Sequence, residues 1–207
     1  MDIAFWKKFY ELPPNKIPWN RTQMDWFKEL VDSGQISGTS ALDLGCGVGI
    51  KSIYIAQHGF RRVLGIDIIP KAVEYAKENA KKYSVEDKTE FAVHDATDLT
   101  FLDNEKFDFV LDWATIHGLT IEAREIYVKQ ISEHIKPGKT QLLLRTFNNK
   151  TTNEKFFESD VGGKIYFLNE KEINNLFEPY FKIIDRNESE PAFRKEFVFD
   201  EYLMIAK

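Results

Sequence analysis

The chain has a single cysteine, Cys46, among its 207 residues. That excludes an internal disulfide, and no Cys/His set has metal-ligand spacing, so neither a cross-linked framework nor a metal is expected. A reducing, cytoplasmic setting fits. Long hydrophobic runs are also missing: no stretch approaches the roughly 20 apolar residues needed to cross a bilayer. The opening MDIAFWKKFYELPP places its acid before its lysines and breaks at Pro13 and Pro14, unlike a secretory signal. An excess of positive charge is absent as well. Twenty-eight Lys and Arg stand against 33 Asp and Glu, a net charge of −5, so no global basic field draws in a nucleic-acid backbone. The expectation is a soluble protein with no membrane or nucleic-acid partner; its oligomeric state is not readable.

What is present is core material, at 43% hydrophobic and 14% aromatic residues. At roughly 150 residues per domain, the length suggests one domain spanning 1–207 with some embellishment. Short branched or aromatic runs alternate with segments of helical period, the pattern of repeated βαβ units in an α/β fold. Strands are expected at Ser40–Leu44, Arg62–Ile66, Thr89–Val93, Phe107–Asp112, Thr140–Phe147, Phe181–Asp185 and Phe197–Ala206. Helices are expected at Lys51–Gln57, Pro70–Lys82 and Thr120–Ile135, and from about Glu170 onward. Pro70 suits a first helical turn, and Asn169 with Glu172 forms a capping-box pattern. The polar RNESEP reads as a hairpin-like connection. Residues 1–38 differ in character: Ile3–Leu12 and Thr22–Val31 read as two amphipathic helices joined by a proline-rich link, a cap on the core at 39–207.

The most informative stretch is ALDLGCGVGI, residues 41–50, in which a strand ends in Asp43 and leads through alternating glycines to a helix. Gly45 and Gly47 reach backbone angles closed to other residues and let a ligand approach closely, while the helix start offers free N–H groups. The spacing G-x-G-x-G differs from the G-x-G-x-x-G of dinucleotide sites, and no Gly-Lys-Ser/Thr of a Walker loop follows. LGID then sets Asp67 at the carboxyl end of the second strand, where ligands of open α/β sheets bind and where a carboxylate can accept from two ribose hydroxyls. A helix-capping role for Asp67 is the structural alternative. Cys46 lies inside the glycine turn with no evident base, which argues against covalent catalysis.

Together, DLGCGVG, GID and HDATDL resemble the motifs of class I S-adenosylmethionine-dependent methyltransferases. The resemblance implies a Rossmann-like, seven-stranded, mostly parallel sheet with its last strand antiparallel and helices on both faces. It implies S-adenosylmethionine as cofactor, with Asp43, Gly45 and Gly47 along its methionine portion and Asp67 on the ribose. Ile68 would flank the adenine, and Asp95 with the adjoining Ala96 would meet its amino end. A turn-capping role is the alternative for Asp95.

FDFVLDWATIHGL, Arg124, Tyr127 and KPGKTQLLLRTF, with FWKKFY and PWN upstream, resemble the small-molecule methyltransferases of the thiopurine, halide/thiol and tellurite-resistance group. That resemblance implies an aromatic amino-terminal lid over cofactor and acceptor, to which Trp19 is assigned; Trp6 reads rather as helix packing. Asp112 to His117 should then lie beside the methyl group. His117 is the first candidate base, because its ordinary pKa of about 6.5 permits proton uptake near neutrality. Asp112 is the second, or else a cofactor contact. Trp113 and Arg145 are candidate acceptor contacts, Arg145 for an anionic group or alternatively in a structural ion pair. The expected acceptor is a small molecule with a sulfur, oxygen or other heteroatom nucleophile. A protein or RNA methyltransferase, a nicotinamide-dependent oxidoreductase and a non-catalytic cofactor-binding protein are the alternatives.

Overall fold

The computed structural model describes residues 2–13, 16–17, 24–148, 154–159, 162–189 and 198–207. Trp19 lies outside them. Two amino-terminal helices, α1 (Ile3–Tyr10) and α2 (Asp25–Asp32), precede an alternating core. In chain order the core is β1 (Ser40–Leu44), α3 (Ile50–Gln57), β2 (Arg62–Asp67), α4 (Pro70–Lys82), β3 (Thr89–Val93), β4 (Phe109–Trp113), α5 (Ile121–Ser132) and β5 (Gln141–Asn148). A small hairpin, β6 (Phe156–Glu158) with β7 (Lys164–Tyr166), leads to α6 (Glu170–Phe177), β8 (Phe181–Ser189) and β9 (Val198–Ala206).

Seven strands form one sheet in the order β3-β2-β1-β4-β5-β9-β8. Strands β1 to β5 pair in parallel, and the final strand, β9, runs antiparallel to both β5 and β8. The order reverses at β1, with β2 on one side and β4 on the other. That is the switch point beyond whose strand ends a crevice opens.

The period-2 alternation of strand side chains divides the core. Leu42, Leu44, Val110, Leu142 and Leu144 meet Tyr127, Val128 and Ile131 of α5 and Phe177 of α6 on one face. Ala41, Phe109, Leu111 and Leu143 meet Phe27 of α2, Ile53 of α3 and Val73 of α4 on the other. Each large side chain so buried contributes about 1.5–3 kcal/mol. Helix starts follow the sequence signals: Pro70 opens α4, and Asn169 and Glu172 complete a capping box at α6.

One expectation is corrected. Arg186 to Ser189 do not form a connection but continue β8, pairing with Tyr202 to Phe199. As an edge strand, β8 leaves one flank in solvent, which suits polar residues. The β6–β7 hairpin was not anticipated from sequence.

Candidate active site

At the carboxyl ends of β1, β2 and β4, the turn after β1 is held by its own backbone. Gly45 and Gly47 sit at φ of +69° and +56°. Gly45 has a second reason to lack a side chain: a Cβ there would lie 2.1 Å from the Thr115 Oγ1. That hydroxyl donates to the Leu44 carbonyl at 2.7 Å, tying the turn to the end of β4. Asp67 closes it from β2. Its Oδ2 accepts the Gly47 N–H and its Oδ1 the Ile69 N–H, both at 2.9 Å. Burial nevertheless pushes the Asp67 carboxyl up to about 6, outweighing these two bonds. Asp43 is likewise raised to about 6 by burial, although it accepts the Ser52 hydroxyl and has the Lys51 ammonium nearby.

These residues border a cavity of about 450 Å³, well sized for a small-molecule site. At one end lie Asp67, Ile68, His94, Asp95 and Ala96. Asp95 there does what its alternative reading proposed, accepting the Thr97 N–H and hydroxyl at 2.9 and 2.7 Å, while still bordering the cavity. The middle is the glycine turn. The far end is aromatic and cationic: Lys51, Trp113, His117 and Arg145 join Phe147, Phe157 and Phe199. Helix α1 roofs it with Phe5, Trp6, Phe9 and Tyr10. The roof fits closely because Gly118 has no side chain; a Cβ there would stand 3.0 Å from the Trp6 ring. Trp6 is therefore part of the cavity wall as well as packed against its neighbours Phe5 and Phe9.

Asp112 is not brought to the cavity. The strand alternation that turns Trp113 toward α3 turns Asp112 toward α5. Its carboxylate accepts the Thr115 and Ile116 N–H groups at 2.7 and 3.2 Å and the Tyr127 hydroxyl at 2.8 Å, entirely buried. Burial raises it to about 7. It is a brace for the turn carrying Thr115, which corrects its expected place beside the methyl group.

His117 does border the cavity, but burial first, and then the Arg124 and Arg145 charges, lower it to about 3. It is neutral near pH 7 and a weak proton acceptor. Arg145 is 2% exposed and ion-paired to Glu201 at 3.2 Å, with its guanidinium carbon 3.7 Å from the Phe199 ring centre. The structural reading of Arg145 is the one seen, an ion pair with Glu201, and the residue also borders the cavity. The Cys46 thiol is raised well above its usual value by burial and by Asp43 and Asp67, so it is no thiolate nucleophile.

Sequence reasoning missed Lys51, Phe147, Phe157 and Phe199. Lys51 sits two residues past the last glycine, a position from which a first-turn side chain reaches back over the turn. The phenylalanines carry no motif, since they are gathered by β5, β9 and the unforeseen hairpin.

Residues 41–138 match the model of a family described as a methyltransferase domain. Among curated proteins, ribosomal protein L11 methyltransferases of Burkholderia cenocepacia and Burkholderia multivorans are 43% identical over 65 residues. That stretch is 31% of this chain and 20% of theirs, so the chain matches only a fifth of the length of these relatives. Among solved structures, the 1,6-didemethyltoxoflavin-N1-methyltransferase of Burkholderia thailandensis superposes with a TM-score of 0.78 at 16% identity, covering 99% of this chain and 86% of that one. The N-methyltransferase NodS of Bradyrhizobium japonicum gives 0.73 at 14%, covering 97% and 96%. Magnesium protoporphyrin IX methyltransferase of Synechocystis gives 0.71 at 19%, covering 99% and 93%. All three were crystallised with S-adenosylhomocysteine.

The fold is that of the class I methyltransferases. Residues 41–138, just under half of the chain, resemble a methyltransferase domain, and the solved structures that share the fold are S-adenosylhomocysteine-bound methyltransferases. The cavity has a form that fits S-adenosylmethionine: it runs from a buried carboxylate on β2, past an open glycine turn, to an aromatic and cationic end.

Proposed function

We propose that this chain transfers a methyl group from S-adenosylmethionine to a small-molecule heteroatom nucleophile. One observation carries the reading: a single cavity joins the glycine turn and Asp67 to an aromatic-walled end beyond β4 and β5. Asp67 would hold the ribose hydroxyls, since each carboxylate oxygen that accepts a backbone N–H keeps a further lone pair. Ile68 and Ala96 would flank the adenine, with Asp95 at its rim, and Asp43, Gly45 and Gly47 would line the methionine portion. The cofactor supplies an activated methyl group, so the chain's tasks are to align, to desolvate and to exclude water. Trp6, Phe9 and Trp113 exclude water at the acceptor end, and Trp19 is proposed to extend that lid.

A small acceptor is favoured because Phe5 and Trp6 roof the cavity and restrict the room for a polypeptide or RNA strand. The names of the relatives that share the fold also include small-molecule acceptors. Calorimetric titration with S-adenosylhomocysteine and with NAD tests the reading. The nucleoside thioether should bind, and Asp67→Ala should weaken it by roughly 1–3 kcal/mol through unpaired ribose hydroxyls while the protein stays folded. Preference for NAD, or unchanged affinity in the folded variant, overturns it.

A further inference from the structure

We propose, resting on the methyl-transfer reading, that Lys51 selects the acceptor by drawing a planar conjugated acid into the aromatic end of the cavity as its anion, whose own lone pair is the nucleophile.

Lys51 stands in the first turn of α3, half-buried, with its Nζ 5.5 Å from the Trp113 ring centre. Arg145 approaches the same ring, its guanidinium carbon 4.6 Å from the centre. The charged groups that act on Lys51 are Asp43 from β1 and Arg145 from β5. Asp43 is engaged by Ser52, and the Arg145 charge is met by Glu201, whereas Lys51 makes no ion pair among the described residues. Burial lowers the Lys51 ammonium to about 8, so it remains largely charged at neutrality.

Nitrogens without a hydrogen-bond partner gather around the same end. Trp113 Nε1 and His117 Nδ1 are buried without a hydrogen-bond partner, and behind them so are Nε and Nη2 of Arg124, which packs over Tyr166. The Lys51 ammonium borders the cavity, only donates and has no carboxylate partner among the described residues, so the ligand that suits this end brings lone pairs and negative charge. The rings of Trp6, Trp113, Phe147 and Phe199 favour a flat one.

Neither candidate base is favourably set in this arrangement. Asp112 faces away, and His117 is a weak proton acceptor. An anionic acceptor needs neither: its electron pair forms the bond to the methyl carbon while the carbon–sulfur pair passes to sulfur, and no proton is released.

The probe is para-nitrophenol, whose visible absorption distinguishes the phenol from the phenolate, added to protein saturated with S-adenosylhomocysteine. The bound probe should ionise about one pH unit or more below its free value, the size expected beside an opposite charge. The neutral methyl ether, para-nitroanisole, should bind at least about tenfold more weakly, a difference of about 1.4 kcal/mol. Lys51→Met should abolish the shift and leave the affinity for S-adenosylhomocysteine within about threefold, and Lys51→Arg should retain the shift. The inference is overturned if the probe does not bind or binds as the neutral phenol, or if the anisole binds equally well. It is also overturned if Lys51→Met keeps the shift, or loses cofactor affinity in its place. Failure of S-adenosylhomocysteine itself to bind would instead remove the methyl-transfer reading.

Discussion

The turn after β1 makes a sharp energetic prediction at Gly45. Substituting alanine imposes two costs of separate origin. A left-handed backbone at φ +69° costs a non-glycine residue about 1–2 kcal/mol. The new methyl group would lie 2.1 Å from Thr115 Oγ1 and 3.0 Å from its Cγ2, and relieving such overpacking costs about 1–3 kcal/mol. Gly45→Ala should therefore destabilise the fold by about 2–5 kcal/mol. Thr115→Ala alone loses the hydroxyl bond to Leu44, a net effect of about 0.5–1.5 kcal/mol. The double variant retains the backbone strain but not the collision with the hydroxyl and methyl, so it should be more stable than the sum of the singles by at least about 1 kcal/mol. Urea unfolding at constant slope measures all four corners of the cycle. If the two effects add within about 0.5 kcal/mol, the close approach of Thr115 is not what keeps residue 45 a glycine.

Glu201→Gln should destabilise by about 3–5 kcal/mol, because it removes the carboxylate charge beside the buried Arg145 guanidinium; a loss below about 1 kcal/mol by the same unfolding assay would show that the pair is solvated. In the cofactor-free protein, Asp43, Asp67 and Asp112 have folded pKa values raised above those of the unfolded chain. They accordingly destabilise once ionised, and their contribution falls as pH rises from about 4 to about 6 for Asp43 and Asp67 and to about 7 for Asp112. His117 acts oppositely: its lowered folded pKa removes stability as pH falls below about 6.5, so His117→Gln should steepen the net decline between about pH 5 and 6. Stability rising with pH over that window, or a His117→Gln profile parallel to the wild type, would contradict the burial of these groups.

The parallel strands and the glycine turn could be read from sequence because their signals are local: a run of Leu, Ile and Val, a φ that glycine tolerates, a proline at the first helical turn. Asp112 shows where such reading stops. Its place in β4 was legible, yet the direction of its side chain depends on the register of a neighbouring element, and Tyr127 turns it into a brace. Likewise, Arg186 to Ser189 look like a loop in one dimension and become strand because β9 supplies partners from Phe199 to Tyr202. The aromatic end of the cavity was beyond reach for the same reason, since Phe147, Phe157 and Phe199 meet only after β5, the hairpin and β9 have converged.

The roof over the cavity comes from α1 and the β6–β7 hairpin, neither of which contributes a strand to the seven-stranded sheet. Floor and ceiling are thus free to change at different rates. A replacement at Phe9 or Ile165 can alter which molecules are admitted without disturbing the strands that organise folding, so divergence among kin that handle different acceptors should concentrate in those two coverings.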